Sequence, residues 1–164
     1  MQQLLKTVFL FLLLGTASAQ GKPTLEFSVE VTPVVYSVSE NLTVKITLKN
    51  VGAKPFHVYQ DLDYFITSFA RTEAGENIAR GVIEQTLPPP PERDSFVVLR
   101  PGQKIEHTRK LSLTDLGISK PGKYQVDFHY RSTSGRPFGF LVWRGFLNTS
   151  SKLEVAAATT AHQP

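Results

Sequence analysis

The fold is decided by two stretches of sequence, Leu25–Val31 (LEFSVEV) and Leu42–Lys49 (LTVKITLK). In both, apolar and polar residues alternate strictly, so an extended chain places the apolar side chains on one face and the polar ones on the other. A helix, with a period of about 3.6 residues, would scatter the same residues around its axis. The alternation therefore predicts two half-buried strands in antiparallel sheets that keep one face in water.

The rest of the chain continues as short apolar segments separated by turns rich in glycine and proline. Further strands are predicted at residues 56–59, 64–69, 95–99, 104–113, 123–131, 138–143 and 152–155, with an edge segment or strand switch at Pro33–Asn41. Residues Asn77–Leu87 fit a strand or one short helix, and Pro88–Pro91 is predicted to be an exposed crossing loop. This pattern predicts an all-β sandwich of two sheets with about 7–9 strands, and a closed barrel is the alternative.

The N-terminus has the three parts of a secretory signal peptide. Lys6 supplies a positive charge, Val8–Leu14 is an unbroken apolar run, and Ala17, Ser18 and Ala19 place small residues before a cleavage point. The run is far shorter than the roughly 20 residues that a membrane-spanning helix needs, and no cysteine follows it that could carry a lipid. We therefore expect cleavage near Ala19, a mature form without a membrane span, and a secreted or periplasmic location. An uncleaved N-terminal anchor is the alternative.

Removing residues 1–19 leaves one domain, predicted at residues 20–155, and a flexible tail at residues 156–164. The chain has no cysteine, so an exported domain must be held by its core alone, which favours a bacterial source. The sequons at Asn41 and Asn148 would matter only in a eukaryotic secretory pathway. The formal net charge of +4, or +3 without the single lysine of residues 1–19, is scattered, so no nucleic-acid partner is expected.

Three turn-and-strand elements carry a resemblance to known domains. They are the strand and turn at Leu42–Gly52, the Leu-x-Pro-Gly turn at Leu99–Gly102 and the Pro-Gly-x-Tyr-x-Val element at Pro121–Val126. Over residues 25–131 the chain resembles immunoglobulin-like bacterial domains. It is similar to the non-catalytic β-domain of deuterolysin-type metallopeptidases and to BsuPI-type proteinase inhibitor domains. The resemblance implies an immunoglobulin-like antiparallel β-sandwich in which Tyr124 is a structural corner tyrosine, its ring inward and its hydroxyl bonded to backbone.

The sequence offers no catalytic, cofactor or metal motif. The His-Glu-x-x-His of the metallopeptidases is missing, as are the Gly-x-Ser-x-Gly and Ser-x-x-Lys nucleophile motifs and a glycine-rich phosphate loop. Zinc needs three or four convergent ligands, and none of the four histidines (His57, His107, His129 and His162) is spaced for this. Asp61 and Asp63 could offer calcium two oxygens, where six or more are needed. The chain is therefore predicted to be neither an enzyme nor a cofactor-binding protein.

One region holds more aromatic residues than a core requires. Six aromatic residues lie within Phe128–Phe146, interleaved with arginines. If residues 138–143 form a strand, Leu141 and Trp143 share a face that must be covered or exposed, and exposed aromatic and arginine residues dominate binding hot spots. The candidate partner-binding residues are Arg131, Arg136, Phe138, Phe140, Trp143, Arg144 and Phe146. The alternative is that this strand is central in its sheet and Gln85–Arg93 covers its outer face.

These observations favour an exported, non-enzymatic binding module. Its partner would be a protein or a component of the cell envelope, contacted through the loops Ser132–Pro137 and Trp143–Asn148. A secreted protease inhibitor that uses the Pro88–Pro91 loop is a second hypothesis, based on analogy of fold. A cryptic hydrolase is a third, and it lacks any nucleophile and base visible in the sequence.

Overall fold

The structure is a computed structural model that describes residues 24–32, 35–78, 90, 92–133 and 137–157. Within these ranges the chain forms nine strands and three short 3-10 helices, and no α-helix, so the predicted all-β class is confirmed. The strands are β1 Leu25–Thr32, β2 Val35–Ser37, β3 Asn41–Asn50, β4 Phe56–Tyr59, β5 Ile66–Thr72, β6 Phe96–Leu99, β7 Lys104–Ser112, β8 Gly122–Ser132 and β9 Gly145–Ala156. The 3-10 helices are Leu62–Phe65, Arg93–Ser95 and Pro137–Gly139.

The strands are arranged in three sheets. One sheet has the order β1-β3-β7, the second has the order β2-β9-β8-β5, and β4 pairs with β6 in the third. All pairings are antiparallel except that of β2, which runs parallel to β9. The two larger sheets share one apolar core. Alternate residues of β3 enter it from one side and alternate residues of β8 from the other, so the alternation in the sequence selects which face is buried.

The predicted strand at residues 138–143 is wrong. This segment starts in the 3-10 helix Pro137–Gly139, and only Val142 forms a β-bridge, to His57 of β4. Phe138 and Gly139 have φ angles of +57° and +83°, in the left-handed region, which interrupts an extended chain. Residues 137–143, which we call the crossing segment, therefore form a bent connection that runs beside β4.

The last strand is longer than predicted. β9 begins at Gly145, inside the stretch predicted to be a loop, and continues beyond the predicted 152–155. Along β9 exposed and half-buried residues alternate, and Thr149 and Ser151 occupy inward positions. Because these two inward residues are polar, the sequence there shows no alternation of apolar and polar residues. The predicted strand at residues 64–69 likewise begins later, at Ile66, after the 3-10 helix that Asp61 caps.

Several predictions concern residues outside the described ranges. These are the signal peptide at residues 1–19, nearly all of the tail, Arg136, most of Asn77–Leu87 and all of Pro88–Pro91 except Pro90. Among the described residues, no helix is both long and apolar enough to cross a membrane.

Asn50, the last residue of β3, links three segments of the chain. Its side chain is fully buried, and its amide nitrogen donates to the carbonyls of Lys54 and Leu99 at 2.9 and 2.8 Å. Its side-chain oxygen accepts from the N–H of Gly52 at 2.8 Å. A Cβ at Gly52 would lie 3.0 Å from the Cβ of Thr24, so the turn after β3 has room only for glycine unless Thr24 moves. The Asn-x-Gly element thus has a structural role, in which the buried Asn50 side chain fixes the turn after β3.

Tyr124 closes the turn before β8. Its hydroxyl donates to the carbonyl of Lys120 at 2.8 Å, while its half-buried ring packs against the main core. A tyrosine hydroxyl that bonds to backbone a few residues upstream is the arrangement of a tyrosine corner. The residue is therefore engaged in holding this turn against the sheet.

The two aspartates that could have offered oxygens to calcium both have protein partners. Asp61 accepts from the N–H of Asp63 at 3.1 Å and caps the first 3-10 helix. Asp63 lies 3.1 Å from Nε2 of His107 and 3.5 Å from Nη1 of Arg109. Both basic residues point to the inner face of β7, because their register partners on β3, Ile46 and Val44, are fully buried. Asp63 therefore balances charge at the rim of the core.

Replacing Asp63 with asparagine is expected to lower the free energy of unfolding by about 1–2 kcal/mol, because Arg109 and His107 lose their carboxylate while the partial exposure of Asp63 moderates the cost. Urea unfolding measures the change. Asp115→Asn, at an exposed aspartate, is the matched control and should leave stability unchanged. Equal midpoints for Asp63→Asn and the wild type would show that the cluster contributes nothing.

Candidate binding surface

The aromatic and arginine stretch Phe128–Phe146 does not form one surface. Phe128 and Tyr130 are buried in the main core. The ring of Trp143 lies half-buried over Tyr130, with 5.6 Å between centroids and 28° between ring planes. Burial raises the pKa of the Tyr130 hydroxyl above its ordinary value, and a hydrogen bond with Ser132 opposes this shift. Phe128, Tyr130 and Trp143 therefore contribute to the core. The remaining residues reach the surface in two separate groups.

The first group lies on the β4–β6 sheet, which is apolar on both faces. One face carries Phe56, Val58 and Leu99 into the main core. The other face carries Tyr59 and Phe96, which form a second, smaller cluster with Val142. Each of these two opposite apolar faces must be packed against another part of the chain. The main core covers the first face, and the crossing segment at residues 137–143 covers the second.

The crossing segment is fastened to β4 by backbone hydrogen bonds. The N–H of His57 donates to the carbonyl of Leu141 at 2.9 Å, and the N–H of Trp143 donates to the carbonyl of His57 at 2.8 Å. Phe140 stacks on the His57 ring at 4.1 Å and meets Phe96 edge-on at 5.5 Å. The segment is thus held in place by both its backbone and its rings.

This cover leaves large apolar side chains in water. Phe138 is 50% exposed, Leu141 is 52% exposed and Val98, beside His57 on the same face of the sheet, is 42% exposed. Together these residues define what we call the aromatic surface. Its members are His57, Val98, Phe138, Phe140 and Leu141. The sequence predicted Phe138 and Phe140 as binding residues and named Leu141 only as part of a face that is covered or exposed. It missed His57 and Val98, which only strand pairing brings beside them.

Phe138 is held in a strained conformation. Its φ and ψ of +57° and 17° lie in the left-handed region, and among the described residues it is the single non-glycine residue with positive φ. For a bulky side chain this costs about 1–3 kcal/mol. The chain therefore holds a half-exposed phenylalanine ring where neither backbone preference nor burial favours it.

The second group lies on the outer face of the β2-β9-β8-β5 sheet. Phe146 is 56% exposed and stands opposite Arg131, which is also exposed. The Phe146 ring lies 5.2 Å from His129, and Phe69 of β5 lies 5.3 Å from the other side of that histidine. Arg144 is exposed just before β9. The predicted partner-binding residues are thus distributed between two surfaces.

The described residues offer no cluster of metal ligands. They contain no group of three or more histidine, aspartate or glutamate side chains placed to hold a metal ion. His107 and His129 lie on β7 and β8, which belong to different sheets. An open pocket of about 510 Å³ beside Tyr124 is bordered by Arg71, Glu73, Lys123 and Glu154 among others.

Comparisons with known proteins identify no family. No family model matches the chain, and no curated protein matches it. Among solved structures it is similar to a β-glucosidase from Erythrobacter marinus, with 13% identity and a TM-score of 0.40 over 79% of this chain and 15% of the enzyme. A β-glucosidase from Listeria innocua in complex with isofagomine gives 15% identity and a TM-score of 0.36, over 80% and 16%. The chain thus spans less than a fifth of either enzyme, and likenesses this weak carry no argument about function.

Proposed function

We propose that this chain is an exported, non-enzymatic binding module that contacts a partner protein through the aromatic surface. The observation that carries the proposal is the strained and half-exposed Phe138 beside the equally exposed Leu141. Strain of this kind persists only where the surrounding structure enforces it, and it is concentrated at ligand contacts and other functional sites. Exposed aromatic patches on a rigid frame are typical of protein interfaces.

The frame beneath the aromatic surface suits this role. His57 and Phe96 hold the crossing segment through ring contacts, and His57 also through backbone hydrogen bonds, so a partner would meet a preformed surface. Preformed surfaces lose less conformational entropy when they bind. In this proposal Trp143 supports the surface from below, and Phe138 and Leu141 make the contacts.

The finer fold assignment in this proposal is an immunoglobulin-like sandwich. It is supported by two larger sheets, β1-β3-β7 and β2-β9-β8-β5, that share one apolar core, and by the hydrogen bond from the Tyr124 hydroxyl to the carbonyl of Lys120. Export is supported by the charge, apolar run and small residues of residues 1–19. In this proposal the mature protein is secreted or periplasmic.

A double variant, Phe138→Asn with Leu141→Ser, tests the aromatic surface. Asparagine tolerates left-handed backbone, so the variant should fold with unchanged or slightly higher stability while losing its apolar contacts. We expect cross-linking and pull-down from an envelope extract of the producing organism to recover a partner with the wild type and lose it with the variant. Val51→Ser, at an exposed valine on the turn after β3, is the matched control. Equal recovery by a folded double variant would refute the proposal.

A further inference from the structure

A second feature of the molecule lies on the outer face of the β2-β9-β8-β5 sheet. Outward positions of such a sheet are normally polar. The outward positions of β5 are Thr67, Phe69 and Arg71. Those of β8 are Gln125, Asp127, His129 and Arg131. Those of β9 are Phe146, Asn148, Ser150, Lys152 and Glu154. Each of these three strands thus carries one ring among polar residues.

The three rings are neighbours across the strands. His129 lies between Phe69 and Phe146, at 5.3 and 5.2 Å, and forms a diagonal with them. Phe146 and Phe69 are 56% and 40% exposed. We call this row the ring diagonal. A cross-strand aromatic pair contributes to sheet stability by itself, but it does not require a row of three neighbouring rings whose outer members are this exposed.

Polar groups that can form hydrogen bonds flank the ring diagonal. Arg131 stands opposite Phe146 and Asn148 stands opposite His129 in the strand register. Asp127, on the other side of His129 along β8, stands opposite Phe69. Its carboxylate is buried, and its two oxygens are already used by Arg71 and by Gln125. The groups left to a ligand are therefore donors and rings, not carboxylates.

The charge of this face is positive. Arg71 is neutralised by Asp127, and Lys123 stands opposite Glu154. In the part of the chain that the structure describes, neither Arg131 nor Lys152 forms an ion pair. The two cations lie on the same face as the ring diagonal, so the face complements an anionic ligand.

We propose that the ring diagonal with Arg131 and Asn148 binds an acidic polysaccharide. A pyranose ring presents a face of slightly positive C–H groups that packs on the electron-rich face of an aromatic ring. Its hydroxyl groups match the amide of Asn148, and a uronate carboxylate matches the guanidinium of Arg131. This site is independent of the aromatic surface, because it uses different strands and a different ligand class.

Isothermal titration of the full chain with a galacturonic acid oligosaccharide tests the site, with a neutral glucose oligosaccharide as the second arm. We expect binding of the acidic ligand only. Phe146→Ser and Arg131→Gln should each weaken it by about tenfold or more. Val51→Ser on the turn after β3 and Lys49→Gln on the outer face of β3 remove an exposed apolar group and an exposed charge elsewhere, and both should bind like the wild type.

Each other outcome overturns the proposal. No heat of binding with either ligand removes the site, and equal binding of both ligands removes its anionic specificity. Equal weakening by Arg131→Gln and Lys49→Gln would reduce the binding to overall charge attraction. Circular dichroism on each variant ensures that lost binding is read only from folded protein. The variants on the ring diagonal should still recover the protein partner, so failure here is distinguishable from failure of the proposed function.

Discussion

Replacing Asn50 with alanine should lower the free energy of unfolding by about 2–4 kcal/mol. The change removes three side-chain hydrogen bonds, and it leaves the carbonyls of Lys54 and Leu99 without the donor that they have in the native turn. A buried polar group deprived of its partner costs about 1–3 kcal/mol, and the small cavity adds to that. Urea unfolding followed by circular dichroism measures the loss.

Asn50→Asp gives a sharper version of the same experiment. The carboxylate keeps the size of the side chain and can still accept from Gly52, but it cannot donate to Leu99 or Lys54, and its charge would be buried. We expect it to be at least as destabilising as alanine. Asn148→Ala, at an exposed asparagine on β9, is the control and should change stability by less than about 0.5 kcal/mol. If Asn50→Ala changed the free energy of unfolding as little as this control, the hydrogen bonds of the Asn50 side chain would have no role in stability.

The second large effect is expected from Gly145→Ala. An added Cβ would lie 2.6 Å from Cη2 and 2.7 Å from Cζ2 of Trp143, far inside normal contact. The indole must therefore move off Tyr130 or β9 must shift, and overpacking of this kind costs about 1–3 kcal/mol. Trp143 is the only tryptophan of the chain, so its fluorescence reports the movement directly. We expect red-shifted emission and a lower unfolding midpoint.

A double variant separates steric conflict from a backbone effect. Trp143→Phe removes the outer ring of the indole that the new Cβ would strike, so Gly145→Ala should cost less in that background. The cycle is measured by thermal unfolding, since the double variant has no tryptophan. Purely additive effects would show that the conflict with Trp143 is not the cause. Because Trp143 also supports the crossing segment, Gly145→Ala should weaken partner binding by the aromatic surface.

The sequence predicted the strands whose two faces differ in polarity. Leu25–Val31 and Leu42–Lys49 match β1 and β3 to within one residue at each end, because every second residue enters the core. The same reasoning failed at residues 138–143, where apolar residues fall at every position and alternation has nothing to distinguish. The positive φ of Phe138 arises from the tertiary setting of the crossing segment and has no signature in its residue type.

The candidate surfaces were predicted only in part for a related reason. Phe138, Phe140 and Phe146 stood out because they are close in sequence. Val98 and Phe69 precede these three residues by 40 or more positions and lie outside any aromatic run. Only strand pairing brings them close to the candidate residues in space. Trp143, whose N–H donates to the carbonyl of His57, lies half-buried behind the surface that it was expected to form.

The cluster of Asp63, His107 and Arg109 has a consequence for how copies of this protein behave in solution. In the described part of the chain, β7 is one of the two edge strands of its sheet. A second molecule that added a strand there would extend the inner face of the sheet past two basic side chains and their carboxylate. Covering these charges with apolar residues of another copy would be costly, and inward-pointing charges on outer strands are a known defence against edge-to-edge association. The cluster thus discourages aggregation in a chain that has no disulfide to lock its sheets.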